Sequence, residues 1–400
     1  MAELYQLPDG WEWKKLDKLT EVNLGKTPSR SKSEYFLGDK VWLSIRDLKD
    51  SYVSDSNEKL TDEAIRDSNI KIVPKGTLLM SFKLTLGRTA FANCDLYTNE
   101  AIASLPIKDE SVLNKYFLKY AIGVIDLEKE VDNAVKGKTL NKEKIRNLDI
   151  PLPPLKEQKR IVSKLDTLFE KIDKSISLHQ KNIDEANVFM ASVLNDVFVE
   201  LEEKYGKRTI ESFSKVGTGV TPLKNRNDFY ENGNINWITS KATNDNFVYE
   251  SEQLITEIAM NECRLRINPI GTIIVALYGQ GKTRGQVSEL MIESTTNQAL
   301  ATIIVDKNQS INTYLKYFLK KSYFDIREKA SGGTQPNLNL SIIKSIELPL
   351  PPIQTQQKVV AYLDEISQKL EKIKQLQKEK MAHLKALKAS ILDSAFRGKL

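Results

Sequence analysis

Two regimes of apolar spacing alternate along the chain. In residues 1–154, and again in 206–352, short apolar or alternating runs sit between turn residues. This is the pattern of β segments. Val41-Trp-Leu-Ser-Ile45, Gly76-Thr-Leu-Leu-Met-Ser-Phe82 and Thr272-Ile-Ile-Val275 are the clearest, and an amphipathic helix is predicted near Val112–Tyr120. In residues 155–205 and 353–400 the spacing changes to alternating steps of four and three. The first of these segments carries Ile161, Leu165, Leu168 and Ile172, then Ile183, Met190, Val193 and Val197. The second carries Val359, Leu363, Ile366, Leu370 and Ile373, then Leu384, Leu387 and Ile391. Such steps place a narrow apolar seam along a helix, as in coiled coils. Helices of roughly 45 residues would span about 65–70 Å.

The two halves are copies of one another. Pro151-Leu-Pro-Pro154 recurs as Pro349-Leu-Pro-Pro352, and 349 − 151 = 198. The same offset carries Gln158 onto Gln356, Leu165 onto Leu363 and Asp166 onto Asp364, and it still aligns Phe198 with Phe396. Within the globular parts the offset wanders, since 237 − 42 = 195 relates Trp42 to Trp237, while Asn99 and Ala101 match Asn297 and Ala299 at 198. Self-similarity at a fixed period fixes the architecture before any local assignment. Between these anchors the loops share little, as suits one scaffold with two specificities. Each proline run holds an extended entry and pre-sets the first helical turn.

The expected fold is α+β. Two similar globular domains would lie at opposite ends of a long antiparallel two-helix coiled coil, related by a pseudo-twofold internal repeat. A second helix returning from the second globular part must run antiparallel if it pairs with the first. Pairing between molecules is the other way to cover the seams.

Composition narrows the class. The chain has 400 residues, 40% hydrophobic and 28% charged, which is ordinary for a globular protein with sizeable cores. Cys94 and Cys263 are isolated and fit no metal or disulfide spacing. A reducing cytoplasmic setting is expected, with no secretory leader in Met1–Pro8 and no apolar run long enough for a bilayer. The formal net charge is +6. Residues 155–204 contribute 8 − 10 = −2 and residues 353–400 contribute 10 − 5 = +5, leaving +3 for the globular parts. That is weak for a protein gripping phosphates indiscriminately.

Catalytic signatures are scarce. There is no HExxH, GxSxG or GxGxxG, and the two histidines, His179 and His383, lie in the long helices. Ala276-Leu-Tyr-Gly-Gln-Gly-Lys-Thr283 approximates a phosphate-binding loop with Ala for its first Gly, but Arg284-Gly-Gln-Val opens no helix to hold a phosphate. Its repeat counterpart, Ser81 to Thr89, lacks the Gly-Lys-Thr ending. Contact with DNA backbone or bases suits such a loop better. Polar loops recur at matched places: Lys26, Thr27 and Arg30 against Lys224 and Arg226; Ser44 and Arg46 against Ser240 and Lys241; Lys83 and Arg88 against Tyr278, Gln280, Lys282 and Arg284. These are side chains that reach base edges and phosphates, and they are the candidate DNA-binding residues. Trp42 and Trp237 read as core.

Leu7-Pro-Asp-Gly-Trp-Glu-Trp13, Ile150-Pro-Leu-Pro-Pro-Leu-Lys-Glu-Gln158 and Ser331-Gly-Gly-Thr-Gln-Pro-Asn-Leu338 leading to Leu348-Pro-Leu-Pro-Pro352 resemble the specificity subunits of type I restriction–modification enzymes. The first copy departs from the pattern, with Lys136-Gly-Lys-Thr139 where the second has Ser331-Gly-Gly-Thr-Gln. The resemblance implies a non-catalytic subunit whose two target recognition domains each read half of a bipartite DNA site. The helices would set the unread gap and dock two methyltransferase (M) subunits. It also implies restriction (R) subunits where present, with S-adenosylmethionine, ATP and Mg held by partners and no cofactor here. A coiled-coil scaffold without DNA preference, and a nucleotide-dependent enzyme centred on Lys282, are the alternatives the residues leave open.

Overall fold

The structure is a computed structural model that describes residues 5–127, 132–134, 137–279, 281–330 and 337–400. By its internal contacts the chain divides into two units, Met1–Leu178 with Glu379–Leu400, and His179–Lys378. Each long helix is therefore shared out between the units.

Within the first unit a five-stranded sheet runs in the order Asn23–Leu24, Ile102–Leu105, Leu78–Ser81, Thr89–Ala92, Tyr52–Val53. A three-stranded sheet runs Glu58–Leu60, Lys40–Leu43, Tyr97–Thr98. The second unit repeats both orders, with Ser214–Thr218, Leu300–Val305, Ile273–Ala276, Val287–Leu290, Phe247–Val248 and with Gln253–Ile255, Ile235–Ile238, Thr295–Thr296. Even the parallel pairings recur at the same two places in each unit. The sheet interiors are continuous apolar runs because both faces are covered, so Leu78–Ser81 and Ile273–Ala276 are buried at every position. A helix predicted at Val112–Tyr120 forms over Lys115–Val124, displaced because Asn114 caps it through Tyr116 and Phe117.

Duplication extends to single hydrogen bonds. Trp42 and Trp237 are buried; their indole Nε1 groups donate to the carbonyls of Lys26 (3.0 Å) and Val220 (3.1 Å). Asn99 and Asn297 each accept the amide two residues on, at 3.1 Å in both units. Tyr120 donates to Asp166, and Tyr317 to Asp364 at 2.6 Å. One glycine pair is required by close approach. A Cβ on Gly25 would lie 2.1 Å from the Thr98 carbonyl oxygen, and one on Gly219 would lie 1.6 Å from that of Thr296.

The helices span Leu155–Lys204 and Ile353–Phe396. In the first unit Arg160 donates to the Leu400 carbonyl (2.8 Å) and Lys388 pairs with Asp173 (2.7 Å). In the second, His179 meets Gln377, its own counterpart one repeat on, and Lys374 donates to Asn187 (3.2 Å). In both, one helix ascends in number as the other descends, which is the antiparallel pairing expected.

The seams differ in detail from the predicted stripe. Ile373 and Leu387 are exposed (43% and 49%), whereas Val162, Phe169, Leu194, Phe198 and Leu201 are buried although the stripe omitted them. A 3.6-residue helix drifts about 20° per heptad from a strict 3.5 repeat. Near each globular core the helix also turns a second face inward, so Phe169 and Phe396 join the first core and Phe198 the second.

Candidate nucleic-acid interface

In the first unit the loop Gly25–Arg30, the turn after Leu43, the strand Glu58–Leu60 and the loop after Ser81 bring cations around two carboxylates. Arg30 grips Glu58 with both guanidinium nitrogens, one at 2.9 Å, while lying 4.2 Å from the Phe36 ring centroid. That bond holds the Glu58 carboxyl below its usual range and raises Arg30, with Arg46 adding to the field at Glu58. Burial works to raise Glu100, but the Thr27 hydroxyl, with Lys83 and Arg30 behind it, outweighs burial and leaves the carboxyl lowered. Thr27, Arg30, Arg46 and Lys83 thus share one charged cluster.

The other candidates of this unit stand apart from that cluster in their bonding. Lys26 donates to the Ser68 carbonyl (3.3 Å), Ser44 caps its turn through Asp47 (2.7 Å), and Arg88 reaches the Leu48 carbonyl (3.4 Å).

The second unit places matched residues in the same frame with different chemistry. Thr221 bonds Gln298, as Thr27 bonds Glu100. Arg226 sits 4.2 Å over Phe229 and pairs with Asp228 and Glu262, which raises it and lowers Asp228. Lys241 pairs with Glu252 at 2.7 Å and lines a cleft of about 550 Å³; Lys224 lines a neighbouring one of about 480 Å³. Ser240 opens the short turn Ser240–Asn244 beside Lys241. Tyr278 and Lys282 are exposed, and Gln280 lies outside the described residues.

The loop resembling a phosphate cradle does not act as one. Its carbonyls are tied to the helix after it, with Tyr323 donating to Lys282 (2.7 Å) and Arg327 to Gly281 (2.9 Å) and Arg284, but what decides against a phosphate cradle is the element that follows the loop. The chain then enters the strand Val287–Leu290 rather than a helix.

Glu58, Glu100, Gln253 and Gln298 escaped the reading of the sequence. Glu100 and Gln298 fill the one differing position of Thr98-Asn-Glu-Ala101 and Thr296-Asn-Gln-Ala299, so comparing mismatches inside the repeat would have found them. Among the described residues no group of acidic, His or Cys side chains could hold a metal, and no helix is long and apolar enough to cross a membrane.

Two copies of one mixed sheet-and-helix unit, each with a polar loop face and a share of two long helices, define an internally duplicated protein. Residues 8–185 and 202–380 both match the type I restriction modification DNA specificity domain, and the chain belongs to that family. It is 26% identical to the MjaIX specificity subunit of Methanocaldococcus jannaschii, across 100% of this chain and 95% of the relative. It is 27% identical to the EcoR124I/EcoR124II specificity subunit of Escherichia coli, over 51% of this chain and 50% of that one. Two solved structures share the fold. One, described under complex assembly and conformational transition of the type I R-M system, has a TM-score of 0.77 at 20% identity, covering 99% of this chain and 100% of that one. The HsdS subunit of Thermoanaerobacter tengcongensis gives 0.53 at 20% identity, covering 99% of both chains.

Proposed function

We propose that this chain is the DNA-recognition subunit of a type I restriction–modification complex, with each unit reading one half of a bipartite site. The observation that carries the reading is the matched face: the same backbone frame in both units presents Thr27, Arg30, Arg46 and Lys83 in one and Thr221, Arg226, Lys241 and Tyr278 in the other. A shared frame with unlike side chains is what two unlike half-sites require. The long helices set the unread spacer and dock two methyltransferase subunits. Exposed Val188 and Phe189, and in the first unit Leu178, offer such partners apolar surface. The subunit performs no chemistry itself; S-adenosylmethionine sits in the methyltransferase subunits, ATP and Mg in restriction subunits where these join, and the complex works in the cytoplasm. The weak charge of the globular parts fits a protein that borrows phosphate grip from its partners. Exchanging residues 206–352 for the matching segment of a relative, and mapping methylated adenines made with the methyltransferase subunit, tests this. One half-site should change and the other persist; a change in both halves, or in neither, contradicts it.

A further inference from the structure

One position in the duplicated frame differs in a way its surroundings do not explain structurally. Glu58 lies directly across from Trp42 in the three-stranded sheet, and Gln253 lies directly across from Trp237. Both stations are held alike. Ser56 Oγ donates to the Glu58 carbonyl at 2.6 Å, and Ser251 Oγ to the Gln253 carbonyl at 2.6 Å. The same serine oxygens accept the amides of Trp42 (3.1 Å) and Trp237 (3.2 Å). The backbone is thus held alike, with one added bond in the second unit from Ser251 Oγ to the Trp237 carbonyl (3.0 Å), while the side chains differ.

Those side chains have opposite fates. Glu58 is held by the Arg30 guanidinium. Gln253 is exposed, and among the described residues its side-chain amide has no hydrogen-bond partner. It also lines both clefts of the second unit, one with Lys241, Asn244, Tyr249 and the carboxylates Asp245, Glu250 and Glu252, the other with Lys224, Asn227 and Glu231. Gln253 therefore lines the clefts of both Lys224 and Lys241, two of the candidate DNA contacts of this unit, on a strand rather than a loop. An unpaired amide on a strand, exposed between two polar clefts, is equipped to read a base edge, since Gln pairs bidentately with adenine N6 and N7.

We propose that Gln253 is a specificity-determining residue of the second unit, reading an adenine in its half-site through the side-chain amide. This rests on the DNA-recognition reading above. At the matched station of the first unit the Arg30–Glu58 pair presents a different pattern, which gives the two halves different base preferences from one frame.

The test uses the full chain in complex with its methyltransferase subunit, mapping methylated adenines on plasmid DNA. Gln253→Ala should leave one half-site intact and relax a single adenine position in the other, cutting preference there roughly 10- to 100-fold. Gln253→Met, equal in reach but without the amide, should do the same if the alanine variant fails to assemble. A motif unchanged in every position with either variant overturns the assignment of Gln253. A wild-type complex that methylates without a split motif overturns the DNA-recognition reading instead, so the two failures are distinguishable.

Discussion

Replacing Gln356 with leucine is expected to destabilise the second unit by about 3–5 kcal/mol, because it strands three backbone groups at once, one buried and two partly buried. Gln356 is fully buried one turn from the proline entry of the C-terminal helix. Its Nε2 donates to the carbonyls of Gln309 (2.9 Å) and Pro351 (2.8 Å), and its Oε1 accepts the Ile311 amide (2.9 Å). Each group left unpaired costs about 1–3 kcal/mol, and partial relaxation keeps the sum below the maximum. Gln158 performs the same task in the first unit, donating to Val112 (2.8 Å) and Pro153 (2.9 Å) and accepting from Asn114 (2.8 Å). Gln158→Leu should therefore cost a similar amount. Urea unfolding followed by circular dichroism reads both. A midpoint no lower than that of an exposed control substitution, such as Gln368→Leu, would show that these glutamines do not anchor the helices to the sheets.

Removing the Lys316 ammonium should have the other large effect. Lys316 and Glu289 form an ion pair at 2.7 Å with side chains 3% and 9% exposed, and the ammonium sits 3.5 Å from the centroid of the Phe247 ring. Burial pushes the Lys316 pKa down against the pull of Glu289. Lys320, one turn on, is pushed down to about 8 by burial and by Lys316. Breaking such a pair from one side leaves a buried, uncompensated charge, at a cost of about 3–5 kcal/mol. Lys316→Met is thus expected to lose roughly that much. Lys316→Met combined with Glu289→Leu should recover most of it, since two apolar side chains need no partner. Thermal or denaturant unfolding of the single and double variants completes the cycle. A double variant no more stable than the single one would mean that Glu289 tolerates isolation and that the pair contributes little.

How far the sequence carries this account depends on which interactions leave a trace in residue spacing. The 198-residue repeat, the two long helices and the burial of both tryptophans were legible, because repetition and apolar period are written directly into the chain. The faces of the helices were less so. Leu387 satisfies a heptad and yet is exposed, while Phe198 breaks the assigned stripe and is buried, because a helix packed on both a partner and a sheet needs two stripes. The candidate interface was half legible. Thr27, Arg30, Arg46 and Lys83 were found as polar loop residues, but the carboxylates that gather them are scattered at Glu58 and Glu100. Gln253 was hidden altogether, since only the strand register places it opposite Trp237.

The most direct measurement is the methylation pattern made by the wild-type chain with its methyltransferase subunit, read base by base across genomic DNA. One split motif is expected, two short defined halves around a gap of constant length. Methylation at a continuous motif, at halves with variable spacing, or without sequence preference would contradict it.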